Sequence, residues 1–168
     1  MTKSKTWQTL HSSANQCWRT PRALFDKLHE EYGFTVDVAA LDDSALLPFW
    51  YGPDHSDEDR RDGLAVPWAG VVWCNPPYGK AAPAWIAKAA AEAKRGVTVV
   101  MLVMANTDTR YWHDHAFQAE EIRFIKGRVK FARQDGTPAA SAPKGSALLI
   151  FTPKGNDGIA PLMRAFHQ

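Results

Sequence analysis

At 168 residues and 18.7 kDa the chain is long enough for one domain with a proper core and too short for two. A 45% hydrophobic and 23% charged composition excludes wholesale disorder, no apolar run approaches the roughly 20 residues that span a bilayer, and Met1-Thr2-Lys3-Ser4-Lys5 leads into no secretory segment. A net charge of +2 is too small to argue for an acidic partner by itself, and Cys17 and Cys74, without CxxC spacing, point to a reducing cytoplasmic compartment and to no metal site.

Residues 1–16 are polar and without periodicity; they read as a flexible tail in which Trp7 is the odd member, leaving 17–168 as a single domain. Trp18-Arg19-Thr20-Pro21 opens a helix, with Thr20 placed to cap it and Pro21 suited to its first turn. Leu24, Phe25, Leu28 and Tyr32 mark one apolar face of that helix, and Gly33 stops it. Residues 34–40 follow as a strand containing Asp37 and ending in two alanines. An acid at such a point either caps a helix or accepts from an amine or hydroxyl of a bound nucleotide-like ligand, which Ala39 and Ala40 would let come close. Asp42 and Asp43 are weaker candidates for the same task. Phe49-Trp50-Tyr51 reads as a core edge, and Asp62-Gly63-Leu64 as a turn whose aspartate shapes the bend or faces a ligand.

Val71-Val72-Trp73-Cys74 then stops abruptly at Asn75-Pro76-Pro77-Tyr78-Gly79. Neither proline can donate to a sheet ladder, so a short buried strand ends in a stiff loop. Asn75 offers a neutral side-chain carbonyl and Pro76 a main-chain carbonyl without an N–H of its own. Two such acceptors, fixed beforehand by Pro76 and Pro77, could hold the two N–H bonds of a planar amine and concentrate its lone pair towards an electrophile. Tyr78 adds a flat face on which a base could stack.

Residues 82–94 read as an alanine-rich crossover helix, and 97–104 as the strongest strand, apolar on both faces as central parallel strands are. Thr107 or Asp108 caps a further helix through Gln118. His113 and His115 have no evident third ligand, so no metal is expected. Residues 122–125 form a strand; the next segment carries Lys126, Arg128, Lys130 and Phe131, and five cations from Arg123 to Arg133 fall within eleven residues. Such a cluster is either a phosphate-binding patch or a charged sheet edge. Residues 134–146 read as a mobile loop, 146–152 as a last strand pairing antiparallel with the Phe131 segment, and 159–166 as a short terminal helix. The whole is an α/β fold with a mainly parallel sheet and an antiparallel C-terminal strand pair.

Asn75-Pro76-Pro77-Tyr78, with Cys74 before it and Gly79 after it, resembles the catalytic motif of amino-methyltransferases. From about residue 17 to 152 the chain resembles the small phage-type DNA N6-adenine methyltransferase (Dam) family. The resemblance implies a class I (Rossmann-like) fold, S-adenosylmethionine as cofactor and double-stranded DNA as partner, in the cytoplasm of a bacterial host if the gene is phage-borne. It implies that Asn75, Pro76, Pro77 and Tyr78 act on the target amine. Trp18, Thr20 and Pro21 would wrap the methionine end of the cofactor, Asp37 and Ala39 would occupy the place of its first binding motif, Asp62 would approach its adenine, and Asn75 would touch the cofactor as well as the target. Arg123, Lys126, Arg128, Lys130 and Arg133 would meet DNA, with Phe131 against the extruded base. The chain departs from larger methyltransferases in lacking a Gly-x-Gly loop, and it has no separate target-recognition domain, so specificity falls to residues 48–67 and 134–146. Methylation of cytosine N4, RNA adenine or glutamine N5 stays open on the tetrapeptide alone, as does a silent nucleic-acid-binding domain. The oligomeric state is unreadable.

Overall fold

Strand β3 (Thr98–Met104) lies at the centre of a six-stranded sheet. Its side chains alternate between two cores. Val99, Met101 and Val103 enter one, and Val100, Leu102 and Met104 the other, all at 9% exposure or less. A strand covered on both sides has no use for a polar face, which explains its unbroken apolar run. The computed structural model describes residues 18–132, 141–156 and 158–168.

Beside β3 run β2 (Val71–Cys74) and β1 (Val36–Asp37), both parallel to it. On its other side lies β5 (Ser146–Phe151), antiparallel, followed by β4 (Glu121–Ile125) and β6 (Leu162–Phe166). β5 is antiparallel to both neighbours while β6 is parallel to β4, so every strand but β5 points its carboxyl end to the same edge. Helix α1 (Arg22–Tyr32) covers one face through Leu24, Phe25 and Leu28. Helix α2 (Ala82–Ala93) and the short α3 (Arg110–Asp114) cover the other through Trp85, Ile86, Ala89, Ala93 and Trp112. Gly33, at φ 66°, terminates α1 in the left-handed region, where its N–H caps the His29 carbonyl. Among the described residues no helix is long and apolar enough to cross a membrane.

Four expectations about elements are corrected. Residues 159–166 form no helix: Ile159, Leu162, Met163 and Phe166 have helical spacing, but residues 162–166 instead complete the free edge of β4. Phe131 lies outside the sheet, and Leu148 pairs with Arg123 and Leu102. The helix expected through Gln118 is broken at His115, φ −128°, into α3 and a single 3-10 turn, Ala116–Gln118, with Thr109 as the cap. Of residues 34–40 only Val36 and Asp37 form a regular strand, although Tyr51 and Phe49 flank Asp37 with further main-chain bonds.

Candidate active site

The loop after β2 holds the chemistry. Pro76 and Pro77 are buried, and Gly79, at φ 84°, turns the chain from the loop towards α2. Asn75 is held by three hydrogen bonds. Its Nδ2 donates to the Trp18 carbonyl at 2.7 Å and to Thr20 Oγ1 at 3.0 Å, while its Oδ1 accepts from the Tyr78 hydroxyl at 2.8 Å. A main-chain carbonyl can only accept, so the atom facing Trp18 is the nitrogen and the amide orientation is settled. The oxygen keeps one lone pair beyond the one Tyr78 uses.

The segment that supplies two of these bonds owes its shape to a proline. A residue before proline is disfavoured in the helical region, and Thr20 stands outside α1. Pro21 itself becomes the cap of α1 at φ −59°, ψ 131°, and the helix begins at Arg22 without a side-chain cap. The expected helix cap at Thr20 is therefore corrected; its hydroxyl serves Asn75 instead. Arg19 and Ala132 exchange two main-chain bonds of 3.3 Å, tying this segment to the one that follows β4.

Between these elements, at the carboxyl ends of β1 and β2, lies a cleft of about 580 Å³ open to solvent. Of the candidate residues, Trp18, Thr20, Asp37, Ala39, Asn75, Pro76 and Pro77 line it, as does Ala40, the second of the two alanines after Asp37; Arg19, Leu41, Ser44, Leu46 and Trp73 do so as well and were not singled out as ligand contacts in the sequence. Asp37 is 3% exposed, and its carboxylate accepts from the Ala39 and Leu46 amides at 3.3 and 3.4 Å. Burial outweighs those two bonds and pushes its pKa up to about 7.

Other candidates stand elsewhere. Asp62 accepts from the Leu64 amide at 3.0 Å, a turn bond, and it does not line the cleft. Gly63 beside it is obligatory, because a Cβ there would lie 2.1 Å from the Val38 carbonyl oxygen. Pro21 caps α1 and is not part of the cleft wall. Asp43 pairs with Arg19, and the Asp42 amide donates to Asp54.

The two aromatic platforms need correction. Tyr78 is 6% and Phe131 1% exposed; their rings meet edge to face at 5.7 Å, and Trp18 packs on Phe131 at 5.4 Å. Neither presents an open face to a base. Arg123 is corrected too. Its side chain, 12% exposed, holds Glu31 by two bonds of 2.6 and 2.7 Å, Glu121 by two more and the Tyr32 hydroxyl at 2.8 Å. The Glu31 carboxylate raises the Arg123 pKa further and is itself lowered by the same bond. This cation is committed within the fold. Lys126, Arg128 and Lys130 are exposed just past the carboxyl end of β4, whereas Arg133 lies outside the described residues, as do the tail with Trp7 and most of the 134–146 loop. Among the described residues no group of three or more His, Cys, Asp or Glu side chains could hold a metal ion.

A mostly parallel sheet, a cleft at the carboxyl ends of its first two strands and a rigid Asn-Pro-Pro-Tyr loop on the cleft wall together define a Rossmann-like methyltransferase. A family model described as DNA N-6-adenine-methyltransferase (Dam) matches residues 7–163, and the chain belongs to that family. It is also similar to the DNA N-6-adenine-methyltransferase of Haemophilus phage HP1 (strain HP1c1), 26% identical over 163 residues that cover 94% of this chain and 88% of the phage protein.

Proposed function

We propose that the chain transfers a methyl group from S-adenosylmethionine bound in the Asp37–Asn75 cleft to the N6 amine of an adenine turned out of double-stranded DNA. Family membership supplies the reaction, DNA adenine methylation, and implies the methyl donor. The observation that carries the assignment to these residues is the anchored Asn75 amide, whose carbonyl end keeps a lone pair beside the cleft.

The residues lining the cleft suit that donor. Asp37 is a carboxylate acceptor for an amine or hydroxyl, Ala39 and Ala40 leave room above it, and the cleft opens to solvent from there to Asn75. When bound, S-adenosylmethionine supplies an electrophilic methyl carbon on a positively charged sulfur. The protein's own task is to sharpen the nucleophile. An exocyclic amine conjugated with a purine has a delocalised lone pair. Asn75 Oδ1 and the Pro76 carbonyl accept its two N–H bonds, favour a pyramidal nitrogen and direct the lone pair outward. Pro76 and Pro77 keep both oxygens still, so little reorganisation accompanies the step. The exposed Lys126, Arg128 and Lys130 supply contacts to phosphate at the same edge of the sheet, and this favours nucleic acid over a glutamine side chain as the target.

Asn75→Ala removes one acceptor and leaves the Asp37 end of the cleft intact. Labelled-methyl incorporation into unmethylated duplex DNA is expected to fall by about 10²- to 10³-fold or more, with affinity for S-adenosylmethionine within a few fold of wild type. Unchanged turnover in that variant would refute the assignment. Parallel assays on RNA and on protein separate the remaining planar-nitrogen substrates.

A further inference from the structure

An amide has an acceptor end and a donor end of nearly equal shape. Only the acceptor end of Asn75 assists transfer. Turned round, its NH2 group would face the N–H bonds of the target amine and compete for its lone pair. Something must therefore choose the orientation. Resting on the reading above, we infer that Thr20 is a positioning residue for methyl transfer, its hydroxyl and the Trp18 carbonyl together holding the Asn75 amide with the oxygen towards the target.

The geometry assigns each Nδ2 proton a partner. The Trp18 carbonyl takes one at 2.7 Å, and Thr20 Oγ1 takes the other at 3.0 Å. Accepting both protons also draws electron density through the amide onto Oδ1, which strengthens it as an acceptor. The hydroxyl has no competing duty at the helix start, since α1 begins at Arg22 with no side-chain cap bond. Its own position is fixed three ways: Pro21 biases Thr20 away from the helical region, Arg19 is bridged to Ala132 by two bonds, and the Trp18 ring packs on Phe131. Phe131 also touches Tyr78, the donor to Asn75 Oδ1, so both ends of the amide are braced by one cluster.

Thr20 lines the cleft as well, so a direct contact with the cofactor is the competing role, and the test must separate the two. Thr20→Val keeps the branched shape and loses the acceptor; Thr20→Ser keeps the acceptor and loses the methyl group. In the full-length protein on unmethylated duplex DNA, Thr20→Val is expected to lower kcat by roughly 10- to 100-fold, with the Kd for S-adenosylmethionine and the KM for DNA within about threefold. Thr20→Ser is expected to restore kcat to within about threefold. Thr20→Ala, read in the same way, replaces the valine variant if the latter unfolds below the assay temperature. The side-chain amide protons of Asn75 give a readout independent of turnover: one of the two moves upfield in Thr20→Val and returns in Thr20→Ser. Wild-type kcat in both the valine and alanine variants, a loss confined to cofactor affinity, a serine variant as slow as the valine one, or an unshifted amide pair would each overturn the proposal. A wild-type chain that methylates no DNA would instead overturn the functional reading and this proposal with it, a result distinct from an active wild type beside an equally active Thr20→Val.

Discussion

Asp37 concentrates the physics of the proposed cofactor end of the cleft in one side chain. Burial favours its neutral form, the Ala39 and Leu46 amides favour the anion, and burial is the larger effect, which carries the pKa from 3.8 to about 7. Between those values the folded chain holds a proton that the unfolded chain has released. The stability this gives is fully present below about pH 4 and is lost as the pH rises through about 7. Asp37→Asn stays neutral throughout. It is therefore expected to gain stability relative to wild type between pH 5 and pH 8 in denaturant titrations. Function follows the opposite course, because only the anion is a full acceptor for an ammonium or hydroxyl. Calorimetric affinity for S-adenosylmethionine should rise from pH 6 to pH 8 more steeply in wild type than in Asp37→Asn. Parallel curves would show that Asp37 does not touch the ligand.

At the scale of elements, Arg123 shows what alternation along a strand does to a charge cluster. In β4, Glu121, Arg123 and Ile125 face α1, and Arg123 there joins Glu31 on the helix to Glu121 on its own strand. Lys126, Arg128 and Lys130 come after the strand has ended, around Gly127 at φ 81°, and they project into solvent. Read along the sequence, these cations look alike; the sheet separates them. Arg123→Ala leaves Glu121, 12% exposed, with only the exposed Arg164 as its partner and takes the cation from Glu31, and it is expected to cost about 1–3 kcal/mol of stability with the salt dependence of DNA binding unchanged. Arg128→Ala should do the reverse. Chemical unfolding and DNA titration on the same two proteins check the pair. Elements made by local rules were legible beforehand: α1 with its Gly33 stop, α2 with Trp85 and Ile86 inward, and β3 with its two apolar faces. Those made by distant partners were not. Residues 162–166 took strand form because β4 had a free edge, and with Pro21 as the cap of α1 the Thr20 hydroxyl is left to serve Asn75, 55 residues away. At the site, Asn75, Asp37 and the proline pair stood out by residue type, whereas Arg19, Leu46 and Trp73 reach the cleft only through the fold.

On the scale of the whole molecule, the parallel arrangement of five strands gathers the working parts at one edge. The carboxyl ends of β1 and β2 carry the cleft, and the carboxyl end of β4, two strands beyond β3, carries the exposed cations. Net charge is only +2, so on the proposed reading attraction for DNA rests on this local strip rather than on the bulk field. If Lys126, Arg128 and Lys130 each neutralise one phosphate, counterion release sets the slope of log affinity against log salt at about −2.7, and binding weakens roughly 40-fold between 50 and 200 mM. Replacing any one of the three by alanine should reduce the slope by about one unit, uniformly across DNA sequences, while affinity for S-adenosylmethionine stays unchanged. Fluorescence titrations of labelled duplex over that salt range measure both quantities. A slope that survives all three substitutions would move the DNA path off this edge. Phosphate contacts would then come from elsewhere, and the target base would have to enter the cleft from the side of residues 48–67.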